Sequence, residues 1–448
     1  MSVGTLPLVV RGARAIWTAS RTLTGTDLWC SGGQVVALVP AGGPPPPEAG
    51  TAVPRVIDAG GCVVVPGLVN AHHHLLQSAF RTLPGTRHVP MREWLAVMNG
   101  AYARVGVDGE LTEAAARVGL SEALLCGVTT VADHHLTWPD APISSDLDLV
   151  HGTASAARSL GARLVFVRGT AGDDAGRAAA SVDALASEFG SRSADGRWEL
   201  GVGPAGVHSD GADTFAALRE VALTHRLVRR TQAGEQVDVE VAAARYGCRP
   251  LELLEQWGWL EPGVTVAHCC EIAGPEIEQL AASGVAVTHA PGCDLPMGWG
   301  LSPVGALLAA GVTVGLGTSG GGSNDGGHLL ADARLAMQVA PLAGCAITAE
   351  QALTLATRGA AVGLGRDELG HLEPGAAADL AIYDLGGVAD AGVHDPVGGL
   401  LWASPGRRPR DVVVGGQPVV AGGALVGAQD EQMIAAELAA LLTRRGAA

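Results

Sequence analysis

Between residues 62 and 319 the chain alternates two kinds of hydrophobic pattern. Short apolar runs rich in β-branched residues recur at 62–70, 128–133, 163–169, 198–205, 227–234, 264–269, 285–291 and 312–319. Runs of this length and density read as strands of a parallel sheet buried on both faces. Between them lie Ala-rich segments of helical length at 149–160, 177–189, 213–225, 274–283 and 302–310. Leu111, Ala114, Val118 and Leu125 recur at helical spacing, and Gly127 sits where a helix-ending glycine belongs. Eight such units predict an α/β fold, a (β/α)8 barrel, with its chemistry at the C-terminal ends of the strands.

The flanks follow a different pattern. Residues 1–61 and 372–425 carry short β patterns broken by Gly and Pro, as in Leu6-Pro-Leu-Val-Val-Arg11 and Asp411-Val-Val-Val-Gly-Gly-Gln417. They predict one small β-sandwich built from both termini. The expected domains are therefore 1–61 with 372–448, closed by a helix over 429–446, and the barrel over 62–371. The proline run in Gly42–Glu48 reads as an exposed loop.

Composition narrows the function. At 448 residues the chain is long enough for one large barrel and a satellite. A formal charge of −16 argues against nucleic acid, whose binding is driven by clustered cations. All 29 basic residues are arginine, so Schiff-base chemistry is excluded, as is a binuclear metal site bridged by a carboxylated lysine. The eight cysteines, at 30, 62, 126, 248, 269, 270, 293 and 345, form no CxxC pair and read as small buried residues in a reducing compartment. No basic n-region precedes an apolar run at the N-terminus, and the basic-free stretch 295–324 is broken by Pro303 and Gly320-Gly321-Gly322. The expectation is a cytoplasmic bacterial protein that binds a small molecule and no membrane.

Candidate chemistry concentrates at strand ends. Pro66-Gly-Leu-Val-Asn-Ala-His72-His73-His74-Leu-Leu-Gln77 closes the first apolar run. Period-2 geometry points His72 and His74 to one face and His73 to the other. Two convergent imidazoles suit a divalent ion, provided later strands add ligands. Glu235, His268 and His289 fall at later strand ends, with Asp294 and Asp325 beside them. A glutamate in a closed barrel mouth has its pKa raised towards neutrality, and a histidine needs little shift to transfer protons. Simpler roles stand beside these: an Arg229 or Arg230 ion pair for Glu235, and packing for His73, Cys269 and Cys270.

In this order and spacing the motifs resemble the amidohydrolase superfamily, most closely its aminohydrolase branch of triazine chlorohydrolases and 8-oxoguanine-type deaminases. The resemblance rests on His72/His74, Arg87-His-Val-Pro-Met-Arg-Glu-Trp94-Leu, Ala267-His268-Cys, His289-Ala-Pro, Gly317 through Ser323-Asn324-Asp325, and Leu372-Glu-Pro-Gly-Ala-Ala-Ala-Asp379-Leu. It implies one Zn or Fe held by the HxH pair, a strand-5 histidine and a strand-8 aspartate. Where that branch reads His-x-His-Leu-Ala-Glu, this chain reads Arg230-Thr-Gln232-Ala-Gly-Glu235, and the aspartate position is Ser319. A neutral amide and a hydroxyl are weak zinc ligands, and the aspartate that takes the water proton is absent.

The resulting expectation is an enzyme acting at a C–N bond of a small nitrogen-rich molecule, heterocyclic or guanidine-like, without a metal cofactor. Glu235, His268 and His289 are its expected acid–base residues. His72, His74, Gln77, Trp94, Gln232, Ser319 and Asp294 are expected to contact substrate, Gln77 and Trp94 against a flat ring by the resemblance. If zinc is retained, its ligands are His72, His74 and His268. Hydrolysis, elimination, cyclisation and isomerisation stay open. The alternatives are a conventional Zn or Fe aminohydrolase with a rearranged ligand set, and a non-catalytic binding homologue. Relatives imply a homo-oligomer, such as a dimer.

Overall fold

The computed structural model describes residues 6–404, 406–427 and 430–446. The expected barrel is present. Its strands are β1 (Leu68–His74), β2 (Val128–His135), β3 (Arg163–Thr170), β4 (Trp198–Pro204), β5 (Val228–Ala233), β6 (Val264–His268) and β7 (Ala286–His289), with an eighth in two pieces, Val314–Leu316 and Ser319–Gly320, here called β8. Neighbours pair in parallel in sequence order. Closure falls on the broken strand: its first piece pairs with β7, and its second sets Ser319 beside His73 and Gly320 beside His74. Glycine makes this seam possible. A Cβ on Gly317 would stand 2.6 Å from the His72 Cβ, and one on Gly320 would stand 2.1 Å from the Gln77 Oε1. Between strands run helices such as Gly109–Leu125, whose start is capped by Asp108 accepting from the Leu111 N–H.

The chain termini form two stacked sheets. Four strands (Leu8–Arg11, Thr26–Ser31, Gln34–Pro40 and Arg55–Asp58) make one sheet. The other has seven strands, drawn from residues 15–66 and 380–425. Leu8, Val10, Leu28 and Cys30 share a core with Val64, Ile382 and Val413, as expected of a sandwich burying alternate residues.

One strand expectation needs correction. The run 62–70 is two elements: Cys62–Pro66 pairs antiparallel with Leu380–Asp384 in the terminal sheet, and only Leu68 onward belongs to the barrel. The break is at Gly67, where a Cβ would lie 2.3 Å from the Thr129 Oγ1. Both halves are uniformly apolar because both are buried on two faces, so composition alone does not mark the join. Sheet and barrel are tied by a buried fork in which Arg163 at the start of β3 donates to both oxygens of Asp379, at 2.8 and 3.0 Å. The tail helix runs Glu431–Arg444 and meets Gly109–Leu125 through an Arg117–Glu437 ion pair; residue 429 lies outside the described residues. Among the described residues no helix is long and apolar enough to cross a membrane.

Candidate active site

The C-terminal strand ends open into a cavity of about 190 Å³. His74 from β1, Gln232 from β5, Glu235 just beyond it, His268 from β6 and Ser319 from β8 line it, with Gln77 and Trp94 from the segment after β1. Seven expected site residues thus reach one space. His72 lies beneath it, fully buried and not part of the lining.

Two expected residues fall elsewhere. His289 ends β7 just before the short helix Pro291–Met297, so its side chain is covered and does not face the cavity; burial lowers its pKa to about 4. Asp294 is completely buried on that helix and grips His268 rather than facing the cavity.

A line of proton-carrying groups crosses the cavity floor. His268 donates through Nδ1 to the Asp294 Oδ1 at 2.7 Å and through Nε2 to the Gln232 Oε1 at 3.1 Å. The Glu235 Oε1 stands 3.8 Å from the same Nε2, and the Glu235 Oε2 is buried without a hydrogen-bond partner. Burial raises the Glu235 pKa to about 7, against the pull of His268. For His268 burial works against the charged ring, but the Glu235 and Asp294 carboxylates outweigh it and raise its pKa to about 9. Neither Arg229 nor Arg230 neutralises Glu235. Arg229 points outward, pairing with Glu261 at 2.5 Å and lying over Trp259, while Arg230 has no ion pair among the described residues.

Local backbone strain marks the same spot. His268, Cys269 and Ser319 have φ of 74°, 52° and 57°, in the left-handed region that favours glycine. The aromatic wall is Trp94, edge-on to Trp299 at 5.4 Å and donating its indole N–H to the Gly322 carbonyl. Gln77 accepts from the Gly322 N–H, so its oxygen is held in place.

One pair of residues escaped the sequence reading. His208, in the loop after β4, lines the cavity, and its Nδ1 lies 2.7 Å from the buried Asp238, which also accepts its backbone N–H. Burial disfavours its charge, yet Asp238 prevails and raises its pKa. Asp238 three residues beyond Glu235 was the available signal, but its partner lies 30 residues away. Asp133, His134 and His135 also border the cavity.

A model of the amidohydrolase family matches residues 63–419. The chain is 33% identical to an 8-oxoguanine deaminase of Pseudomonas aeruginosa over 98% of this chain and 97% of that one. It is 34% identical to a 5-methylthioadenosine/S-adenosylhomocysteine deaminase of Natronomonas pharaonis, covering 82% and 83%. Among solved structures, the atrazine chlorohydrolase of Arthrobacter aurescens complexed with zinc superposes with a TM-score of 0.89 at 34% identity, covering 97% and 100%.

That zinc-bearing neighbour sets a test for the donors present here. Among the described residues one trio of His, Cys and carboxylate ligand atoms gathers within 4.8 Å: His268, Cys293 and Asp294. It is a poor cradle, since burial holds the Cys293 thiol in its protonated form and His268 and Asp294 already satisfy each other. The ring centres of His74 and His268 lie 4.8 and 5.0 Å from that of His72. Burial holds His72 and His74 neutral, and His74 engages the His134 carbonyl through Nδ1 as a ligand would. However, both nitrogens of His268 are occupied, and the other two expected ligand positions are an amide and a hydroxyl. The residues of this chain that could hold zinc are thus His72, His74 and a His268 turned from its present partners, with no carboxylate from the strand-8 position to complete them.

Proposed function

This chain belongs to the amidohydrolase family, whose relatives here are hydrolases, and on that premise we propose that it hydrolyses a C–N bond on a flat, nitrogen-rich heterocycle, with water replacing a ring amino group. The single observation that carries this reading is the Glu235–His268–Asp294 line on the floor of a cavity walled by Trp94 and Gln77. The deaminase relatives and their named ring substrates support the substrate class.

The chemistry follows from the proton inventory. The ring enters edge-first, its face against Trp94 and its polar rim towards Gln77, His208 and Gln232. Protonated His268, fixed by Asp294, turns its Nε2–H from the Gln232 oxygen to the ring nitrogen next to the carbon under attack and draws off electron density. Ionised Glu235 takes a proton from water as its oxygen bonds to that carbon. The same proton then passes from Glu235 to the amino group, the C–N bond breaks, and ammonia leaves. Return of the ring-nitrogen proton to His268 leaves the hydroxy-ring, which tautomerises to the oxo-ring, with one water consumed and one ammonia formed. Two groups whose pKa values are pushed to about 7 and about 9 suit a base and an acid at one pH.

A second reading is favoured by the zinc-bearing neighbours: a conventional aminohydrolase holding zinc through His72, His74 and a reoriented His268. Both readings are tested by ammonia release from ring amines, with 8-oxoguanine, isoxanthopterin and aminotriazines as the opening panel. Release by the native chain that disappears in Glu235→Gln supports hydrolysis at this site. No release from any ring amine opposes it, and activity restored only by added zinc selects the second reading.

A further inference from the structure

Arg230 is a buried cation without a counter-charge among the described residues. On β5 it is two residues before Gln232 and so shares its inward face, one layer further into the barrel. Its neighbour Arg229 points outward to Glu261, which fixes the alternation. Arg230 is 2% exposed, and none of its three side-chain nitrogens has a hydrogen-bond partner. No carboxylate offsets its burial, and its charge reaches inward to His72 and His134. Leaving a guanidinium buried and unpaired is among the most unfavourable arrangements in a folded chain.

The groups around it are also short of acceptors. Gln232 commits its oxygen to His268, which leaves the amide NH2 to donate. His72 has two buried nitrogens with no partner among the described residues, and in either protonation state at least one of them carries a hydrogen. Arg230 adds five N–H donors. The unpartnered carboxylate oxygens that border the cavity belong to Glu235 and Asp133, whereas Arg230, Gln232 and His72 present N–H groups and a positive charge.

We propose that Arg230 converts the floor of this barrel from a cation cradle into an anion site. An anion of carboxylate size, free or carried as a substituent on the substrate, sits on the cavity floor at the Gln232 amide, with Arg230 and His72 in the layer beneath. The inference rests on the proposed reaction only in taking this barrel mouth as the entry, because anion binding is measured without turnover.

The probe is sodium formate, titrated into the full-length chain while thermal unfolding is followed, with sodium perchlorate-matched ionic strength and metal content measured on the same sample. Binding to the folded state alone raises the melting temperature with a saturable dependence on formate. The native chain and Arg230→Lys, which keeps the charge, are expected to respond, and Arg230→Met is expected not to respond. Arg230→Met should also melt higher than the native chain without formate, because it removes an unpaired buried charge. If Arg230→Met fails to fold, Gln232→Leu provides the second readout, with a formate midpoint raised several-fold. Competition by formate against a ring-amine substrate assigns the anion to a substrate substituent, and inhibition that substrate does not relieve assigns it to a free ion. An identical response in native and Arg230→Met protein overturns the proposal, as does near-stoichiometric zinc in the purified native chain. Loss of ring-amine turnover with an intact formate response would instead fault the proposed function alone.

Discussion

Glu235 and His268 divide the proton work through their surroundings, since one carboxylate and one imidazole are tuned in the same few ångströms. Glu235→Gln keeps shape and hydrogen bonding but removes the base, so turnover should fall by about 10²–10⁴-fold with an unchanged circular dichroism spectrum. The pH–rate profile should be a bell. Activity rises as Glu235 ionises near 7 and falls as His268 loses its proton near 9. Asp294 acts through His268 as a positioning residue. Asp294→Asn withdraws a carboxylate that raises the His268 pKa, so the falling limb should move to lower pH while the rising limb stays. A uniform loss of rate with both limbs fixed would mean that Asp294 is merely structural. At this scale the sequence was partly readable. Glu235 and His268 stood out because each ends a strand pattern, whereas Arg230 was read as an ion-pair partner because its surface-like residue type conceals complete burial.

Secondary-structure elements carry the geometry that these residues need. Eight strands and their helices were visible as alternating periodicities, and the helix expected over 274–283 matches Gly274–Ser283. The break of β8 was not visible, since it depends on how closely Gly317 and Gly320 approach β1, which only closure of the barrel decides. Gly317→Ala should therefore destabilise the fold by about 1–3 kcal/mol, because the contacts at 2.6 and 2.7 Å are to the His72 Cβ and backbone, which have little freedom to move. The fork between Arg163 and Asp379 was equally hidden, joining residues 216 apart. Burial alone would raise the Asp379 pKa, but Arg163 and the Gly415 N–H lower it below the ordinary carboxylate range. Asp379→Asn leaves Arg163 buried without its counter-charge, and the expected loss is about 3–5 kcal/mol in urea unfolding. Because the folded pKa is depressed, the stability from this group is present above the unfolded carboxylate range and is lost as pH falls through it and below.

For the whole molecule, a sandwich drawn from both ends of the chain supports a barrel whose mouth holds acid–base groups over a floor rich in N–H donors. The relatives share the barrel and include zinc-bound forms, and by the resemblance Gln232 and Ser319 stand where metal ligands are expected. The most direct test measures ammonia release from ring amines by chelator-treated protein whose zinc and iron lie far below one per chain, comparing native and Glu235→Gln forms. A metal-free acid–base site predicts that native turnover survives chelation undiminished and that Glu235→Gln loses it. Turnover that vanishes on chelation and returns in proportion to added zinc would contradict it.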